Sequence, residues 1–79
     1  MRARVHVFLK AGVLDVQGKA VENALHGLGW NGVSDVRVGK TIEFDFGGVD
    51  AGAAEAEVRR MCETLLANTV IEGYRIEIS

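Results

Sequence analysis

Apolar and polar side chains recur along the chain at the spacings of strands and helices, and the first two runs predict a strand followed by a helix. Residues 3–9 alternate, which is typical of a half-buried β-strand. Residues 16–28 repeat apolar side chains at helical spacing, which predicts an amphipathic helix capped by Asp15. The apolar positions are Ala3, Val5, Val7 and Leu9 in the strand, and Val16, Ala20, Val21, Ala24, Leu25 and Leu28 in the helix.

Two further alternating runs, 33–38 and 42–46, predict a β-hairpin. Pairing Val38 with Ile42 keeps the apolar side chains of both strands on one face and requires a three-residue loop, 39–41. A two-residue turn would suit the glycine in this loop, but it would mix the two faces. We predict the three-residue loop, because burial determines register more strongly than turn preference does.

The last part of the chain predicts a second helix over 51–67, capped by Asp50, and a final strand over 74–78. The element order β-α-β-β-α-β is the ferredoxin-like plan of the α+β class, an antiparallel sheet with two helices on one face. We expect one domain over residues 1–79. The predicted buried positions are Ala54, Val58, Met61, Cys62 and Leu65 in the helix, and Tyr74, Ile76 and Ile78 in the strand.

Length and charge narrow the classes of function. A chain of 79 residues buries only about 60–65% of the surface that its unfolded form exposes. With one cysteine it has no internal disulfide, so association with a second copy is the expected source of further stability. The net charge of −2 argues against nucleic-acid binding. There is no apolar run of about 20 residues for a membrane span, and the N-terminal sequence is too short and too alternating for a signal peptide, so we expect a cytoplasmic protein.

The stretch GVLDVQGKA, residues 12–20, resembles a phosphate-binding loop only in outline. The motif has four residues between its glycines and a hydroxyl after its lysine. Here five residues separate Gly12 from Gly18, and Ala20 takes the place of the hydroxyl. Asp15 would add a negative charge where phosphate should bind. We therefore expect a loop and a capped helix start, with Gly18 permitting close packing near the sheet.

The predicted outer face of the sheet carries charges of both signs, as a solvated surface or a polar docking surface does. On this face the hairpin register sets Arg37 opposite Glu43. The side chains that we expect to contact a partner or a second copy are Arg4, His6, Phe8, Trp30, Arg37, Lys40 and Arg75. One cysteine and two distant histidines lack the spacing of a zinc site, and no acid, base and nucleophile are grouped. We expect no catalytic residue, no metal and no cofactor on this chain.

Three segments together resemble one known family: GVLDVQGK at 12–19, GVSDVRVGK at 32–40 and MCETLLAN at 61–68. The chain resembles the PurS family, the small subunits of phosphoribosylformylglycinamidine (FGAM) synthase in bacteria and archaea. The resemblance extends over nearly all 79 residues. Members of this family commonly have proline where this chain has Ala11, Val16 and Thr69.

The resemblance implies a subunit without catalytic residues in a ligase complex of de novo purine synthesis. In that complex a glutaminase subunit releases ammonia, and a larger synthetase subunit uses ATP and Mg²⁺ to convert formylglycinamide ribonucleotide to its amidine. The small subunit would bridge the two as an adaptor and form a homodimer or a higher oligomer. The alternative is an ACT-type regulatory module, which shares the topology and would bind a small molecule.

Overall fold

The computed structural model describes residues 1–48 and 50–79. Its elements are β1 (Arg2–Leu9), α1 (Val16–Gly27), β2 (Lys40–Asp45), α2 (Ala51–Met61), a π-helical turn (Cys62–Leu66) and β3 (Glu72–Ile78). Five of the six predicted elements are therefore present. Asp15 and Asp50 cap the two helices as predicted, since their carboxylates accept from the backbone N–H groups of Gly18 and Ala53.

The three strands form one antiparallel sheet in the order β2-β1-β3. Val5 of the central strand lies opposite Ile42 on one side and Ile76 on the other. Because apolar residues alternate along β1, they lie on one face of the sheet, and α2 packs on that face. The structure thus confirms an α+β fold with an antiparallel sheet and two helices. The fully or almost fully buried side chains are Ala3, Val5, Val7, Ala54, Val58 and Cys62.

The predicted strand over residues 33–38 does not form, so the prediction of a hairpin with Val38 opposite Ile42 is wrong, and β2 pairs with β1. Asp35 has a left-handed backbone with φ of 53°, which interrupts an extended strand. The N–H groups of Val36 and Val38 donate to carboxylates of α1 and its cap rather than to a neighbouring strand. These hydrogen bonds explain why the sheet has three strands among the described residues instead of four.

The second helix ends in the π-helical turn, and this changes which side chains face the core. The N–H of Ala67 donates to the carbonyl of Cys62 over 3.1 Å, a wider i to i+5 closure than an α-helix has. Ala67 is buried, whereas Leu65 is 81% exposed and Met61 is half-buried. The prediction that Leu65 belongs to the buried stripe is wrong because the α-helical period changes at Cys62.

α1 and the segment 33–39, which we call the arm, extend away from the sheet. In the described part of the chain, α1 has no extensive contact with a strand or with α2. The molecule measures 50 × 24 × 14 Å. Its radius of gyration is 16.0 Å, against about 12 Å for a compact chain of this length. The apolar stripe of α1 is therefore not buried within a single chain, since Val16 and Leu28 are both 72% exposed.

Val16→Pro is expected to stabilise the fold by about 0.4–1 kcal/mol, because proline restricts the unfolded chain and suits the first position of a helix. Asp15 has an extended backbone with φ of −98° and ψ of 94°, as the residue before a proline requires. Urea unfolding would measure the gain. Ala20→Pro, inside the same helix, is the matched control and should lose about 3 kcal/mol. A loss with Val16→Pro would contradict this prediction.

Candidate interaction surfaces

The open face of the sheet, opposite α2, carries a network of ion pairs across all three strands. Arg4 is central to it: Nε lies 2.7 Å from Oε1 of Glu43 on β2, and Nη1 lies 3.4 Å from Oε2 of Glu77 on β3. Nε2 of His6 and Nη2 of Arg75 lie 3.2 and 3.6 Å from Oε1 of Glu77. The structure thus brings three of the predicted contact residues, Arg4, His6 and Arg75, onto one polar surface.

Phe8 continues this surface towards one end of the sheet and is 46% exposed. Its ring lies over Gly73 of β3, where an added Cβ would come within 2.8 Å of Cε2 of Phe8. Lys40, at the start of β2, pairs with Val7 of β1. The open face therefore combines charged side chains with one exposed aromatic ring, a composition that suits contact with another protein.

Acid is expected to destabilise the fold through paired carboxylates. The Arg4 guanidinium holds the pKa of Glu43 below its usual value, and the Val36 N–H does the same for Glu22. A group whose pKa is depressed on folding stabilises the fold above its unfolded pKa, about 4.3 for Glu, and loses that effect as pH falls through the folded pKa. The urea midpoint should therefore stay level from about pH 7 to 5 and fall below about pH 5. Glu43→Gln should weaken this fall, whereas a midpoint that rises in acid would contradict the prediction.

Arg37 is absent from the open face, so the expectation that it lies there opposite Glu43 is wrong. Its Nη2 donates to the carbonyls of Lys10 and Val13, at 3.0 and 2.9 Å. The strand that would have placed it on the sheet does not form, and its guanidinium instead ties the arm to the loop before α1. Arg37 is a structural residue of the arm.

Asp15 and Gly18 hold the two parts of the arm together. Oδ1 of Asp15 accepts from the Gly18 N–H at 2.6 Å, and Oδ2 accepts from the Val38 N–H at 2.7 Å. The Val38 and Gly18 hydrogen bonds lower the pKa of this buried carboxyl. A Cβ at position 18 would overlap the carbonyl oxygen of Val36, so Gly18 permits close packing as predicted, but against the segment 33–39 rather than near the sheet. The segment GVLDVQGKA thus builds a helix cap and a backbone contact.

The connection between the two parts of the arm, residues 28–32, carries Trp30, which is 59% exposed. Nearby, Nε2 of His26 donates to the carbonyl of Val33 at 2.6 Å, so the end of α1 is also joined to the segment 33–39. Near the middle of the arm, Glu22 accepts a hydrogen bond from the Val36 N–H of the same segment, at 3.3 Å. The arm is therefore fastened near its start, middle and end, and it presents Trp30 on its surface.

An apolar groove of about 480 Å³ lies between β2 and the end of the second helix. Sequence reasoning did not find this groove, because residues from two distant elements form it. The rings of Phe44 and Phe46 lie edge to face on one side, with centroids 6.3 Å apart. The signal for it was present in the alternation of β2, whose apolar residues Ile42 and Phe44 are only partly buried in the described structure. Its lining consists of Phe44, Phe46, Glu57, Arg60, Met61, Thr64, Leu65 and Leu66.

Three further features bear on function: grouped metal ligands, membrane-spanning helices and the thiol of Cys62. Among residues 1–48 and 50–79, no three His, Cys, Asp or Glu side chains are grouped as metal ligands would be. No helix in the described ranges has the length and apolarity to cross a bilayer. The thiol of Cys62 is buried in the core, and this burial raises its pKa, as is usual for a structural cysteine.

An antiparallel α+β domain with a polar sheet face, an exposed apolar arm and an apolar groove is a protein-contact module. The sequence model of the PurS family, described as "Phosphoribosylformylglycinamidine (FGAM) synthase", matches residues 2–79. The chain belongs to this family.

Curated relatives and solved structures agree with this assignment. The chain is 49% identical to the FGAM synthase subunit PurS of Bacillus subtilis, over 98% of this chain and 90% of the relative. It is 48% identical to the Mycobacterium leprae subunit, over 95% and 91%. The B. subtilis PurS structure in its C2 crystal form superposes with a TM-score of 0.89 at 49% identity, over 99% and 96% of the two chains. A chain of the structure of PurLQS from Thermotoga maritima superposes with a TM-score of 0.87 at 28% identity, over 96% and 93%.

Proposed function

We propose that this chain, as one domain over residues 1–79, is the adaptor subunit of a cytoplasmic FGAM synthase complex. It joins the glutaminase subunit to the larger synthetase subunit and so supports transfer of ammonia between them. The observation that carries the proposal is the match to a chain of the T. maritima PurLQS structure over 96% of the sequence. The exposed polar and apolar surfaces supply the contact area that an adaptor needs.

In this proposal the chemistry belongs to the partner subunits. Glutamine is hydrolysed on the glutaminase, and ATP with Mg²⁺ activates formylglycinamide ribonucleotide on the synthetase. This chain positions the two partner subunits. As a homodimer that contacts both subunits, it holds their active sites at a fixed separation. The network of Arg4, His6 and Arg75 on the open face supplies charged groups for these contacts, and Phe8 supplies an aromatic anchor.

Assembly with purified partners tests the proposal. The chain is mixed with a synthetase and a glutaminase subunit from the same source, with glutamine and ADP present, and the masses are measured by size exclusion with light scattering. We expect one complex that contains all three subunits and glutamine-dependent synthesis of the amidine product. The chain alone should hydrolyse neither ATP nor glutamine. Failure to assemble under these conditions, or turnover by the chain alone, would overturn the proposal.

A matched pair of charge reversals locates the contact. Arg75→Glu changes the open face, and Arg59→Glu changes the exposed side of α2, with side chains 67% and 57% exposed. We expect Arg75→Glu to weaken the complex at least tenfold and Arg59→Glu to leave it unchanged. Calorimetric titration of the chain with free amino acids tests the ACT-type alternative, for which heat of binding at a dimer interface is the expected result.

A further inference from the structure

The turn between α1 and the segment 33–39 contains the only Asn-Gly pair of the chain, Asn31 followed by Gly32. Asn and Gly are common in turns because both tolerate backbone angles that other residues avoid. Both residues of the pair are exposed, and Asn31 follows Trp30, which is 59% exposed. The side-chain amide of Asn31 is therefore accessible to water in the structure.

The flanking residues hold this turn, whereas its two central residues are left out of the hydrogen bonds. The N–H of Val33 donates to the carbonyl of Trp30 at 3.4 Å, and Nε2 of His26 donates to the carbonyl of Val33 at 2.6 Å. Within residues 1–48 and 50–79, no backbone carbonyl accepts from the N–H of Gly32, and the Asn31 side chain makes no hydrogen bond. The turn is closed, but its amide groups remain free to react.

The space around Gly32 is open as well. Apart from its chain neighbours, no described atom lies within 4 Å of a Cβ built at this position. Glycine has no side chain to obstruct an approach to its own backbone nitrogen. Since no hydrogen bond in the described structure holds the Asn31 side chain, it can change rotamer until Cγ approaches the nitrogen of Gly32. Sequence and structure thus bring an electrophile and a nucleophile together.

We propose that Asn31 is a site of spontaneous deamidation, which converts its side-chain amide to a carboxylate with water as the co-reactant. The backbone nitrogen of Gly32 gives up its proton to solvent base and attacks Cγ of Asn31. The bond from Cγ to Nδ2 breaks, and Nδ2 takes up a proton and leaves as ammonia. Water then opens the resulting succinimide ring. Cleavage of the new bond gives aspartate, and cleavage of the original backbone bond gives isoaspartate.

The other two asparagines of the chain are held by the fold and provide internal references. Asn23 lies in α1, where the N–H of the next residue is bonded to the carbonyl four positions earlier and the backbone cannot close the ring. Asn68 is followed by the β-branched Thr69, and its Oδ1 accepts from the N–H of Val70 at 3.2 Å. The same reaction should therefore be slow at both positions in the folded chain.

The modification would change the surface and the shape of the arm. It would make the net charge of −2 more negative by one unit, with the new carboxylate beside Trp30. Isoaspartate adds one carbon to the backbone between Trp30 and Val33, so it should break the hydrogen bond that closes the turn and disturb the contact of His26 with Val33. This inference concerns the chain itself and does not depend on the proposed adaptor role.

Incubation of the purified chain in neutral and in mildly alkaline buffer provides the first test. Peptide mapping by mass spectrometry measures, at each asparagine, the mass gain from replacing NH₂ by OH. We expect Asn31 to react at least tenfold faster than Asn23 or Asn68, and faster in alkaline buffer because the Gly32 nitrogen must lose its proton. A smaller ratio, or a rate that does not rise with pH, would overturn the proposal.

A comparison with the chain unfolded in urea separates the fold from the local sequence. Unfolding should accelerate the reaction at Asn23 and Asn68, because it releases the helix and the loop that hold them. The rate at Asn31 should change by less than tenfold, since the described structure leaves its amide free. If folding slows the reaction at Asn31 tenfold or more, the turn protects it and the proposal fails.

Two glycine substitutions test the nucleophile. Positions 32 and 27 both have room for a Cβ beyond their chain neighbours and the helix backbone. Gly32→Ala should slow the reaction at Asn31 at least tenfold, because the added methyl group hinders the approach of the nitrogen, whereas Gly27→Ala should leave the rate unchanged. Circular dichroism shows whether both variants fold, and Asn31→Gln, whose longer side chain closes a ring slowly, should give the same loss as Gly32→Ala. Equal rates in the two glycine variants would overturn the proposal.

Discussion

Asp15→Ala is expected to lower the thermal midpoint of unfolding by about 10 to 15 °C, because it removes a helix cap and leaves two N–H donors without a partner. The Asp15 side chain is buried, with the residue 5% exposed, and its two oxygens accept from Gly18 and Val38 at 2.6 and 2.7 Å. The loss should concentrate in the arm, so amide hydrogen exchange should accelerate in α1 and in the segment 33–39 before it does in the sheet.

Asp50→Ala is the matched control for this prediction. Asp50 caps α2 with a single hydrogen bond, in which Oδ1 accepts from the Ala53 N–H at 2.8 Å, and its side chain is exposed. Its removal should lower the midpoint by about 5 °C, as expected for an ordinary cap. If both substitutions lower the midpoint equally, the connection between Asp15 and Val38 has no effect beyond capping, and the prediction for Asp15 fails.

Gly18→Ala is expected to destabilise the fold by about 2 kcal/mol, although alanine favours helices by about 1 kcal/mol over glycine. The added methyl group would overlap the carbonyl oxygen of Val36, a backbone atom that cannot rotate away, and would lie 2.9 Å from Cγ of Asp15. The segment 33–39 must therefore shift from α1, and denaturant unfolding of the purified chain would measure the loss.

Gly27→Ala, in the same helix, is expected to change the free energy of unfolding in the opposite direction. Apart from its chain neighbours and the backbone of its own helix, no described atom lies within 4 Å of a Cβ built at position 27, so only helix propensity changes. The substitution should stabilise the fold by about 0.5–1 kcal/mol. The pair Gly18 and Gly27 thus separates a steric requirement from propensity, and a gain in stability with Gly18→Ala would contradict the steric explanation.

Local signals predicted most of the elements and their caps. The alternation of β1 and the apolar spacing of α2 specify buried faces that the structure confirms at Val5, Val7 and Val58. The caps at Asp15 and Asp50 depend only on residues within the next three positions, so they could be read from the chain. The glycine at position 18 predicted a close approach, although the atom that it approaches was unknown.

The predictions that the structure contradicts have a common cause, which is contacts between residues distant in the sequence. Residues 33–38 alternate like a strand, but hydrogen bonds from Val36 and Val38 to Glu22 and Asp15 hold them on α1. Arg37 therefore does not lie at the predicted site, and its guanidinium donates to backbone carbonyls of the loop before α1. Leu65 became exposed because the helix widens into a π-helical turn after α2. None of these contacts produces a periodic signal in the sequence.

By itself, the sequence determined the α+β class, the caps, the apolar faces and the membership of the PurS family, because each of these depends on local spacing or on residue identity. Only the tertiary structure decided which of these apolar faces is buried and which is exposed. Carboxylates on α1 and its cap accept hydrogen bonds from the N–H groups of the segment 33–38, so these groups do not pair with a strand and no fourth strand forms. As a result, α1 and its apolar face lie away from the sheet of the same chain. That one choice of hydrogen-bond partners leaves both the arm and the groove open to another molecule.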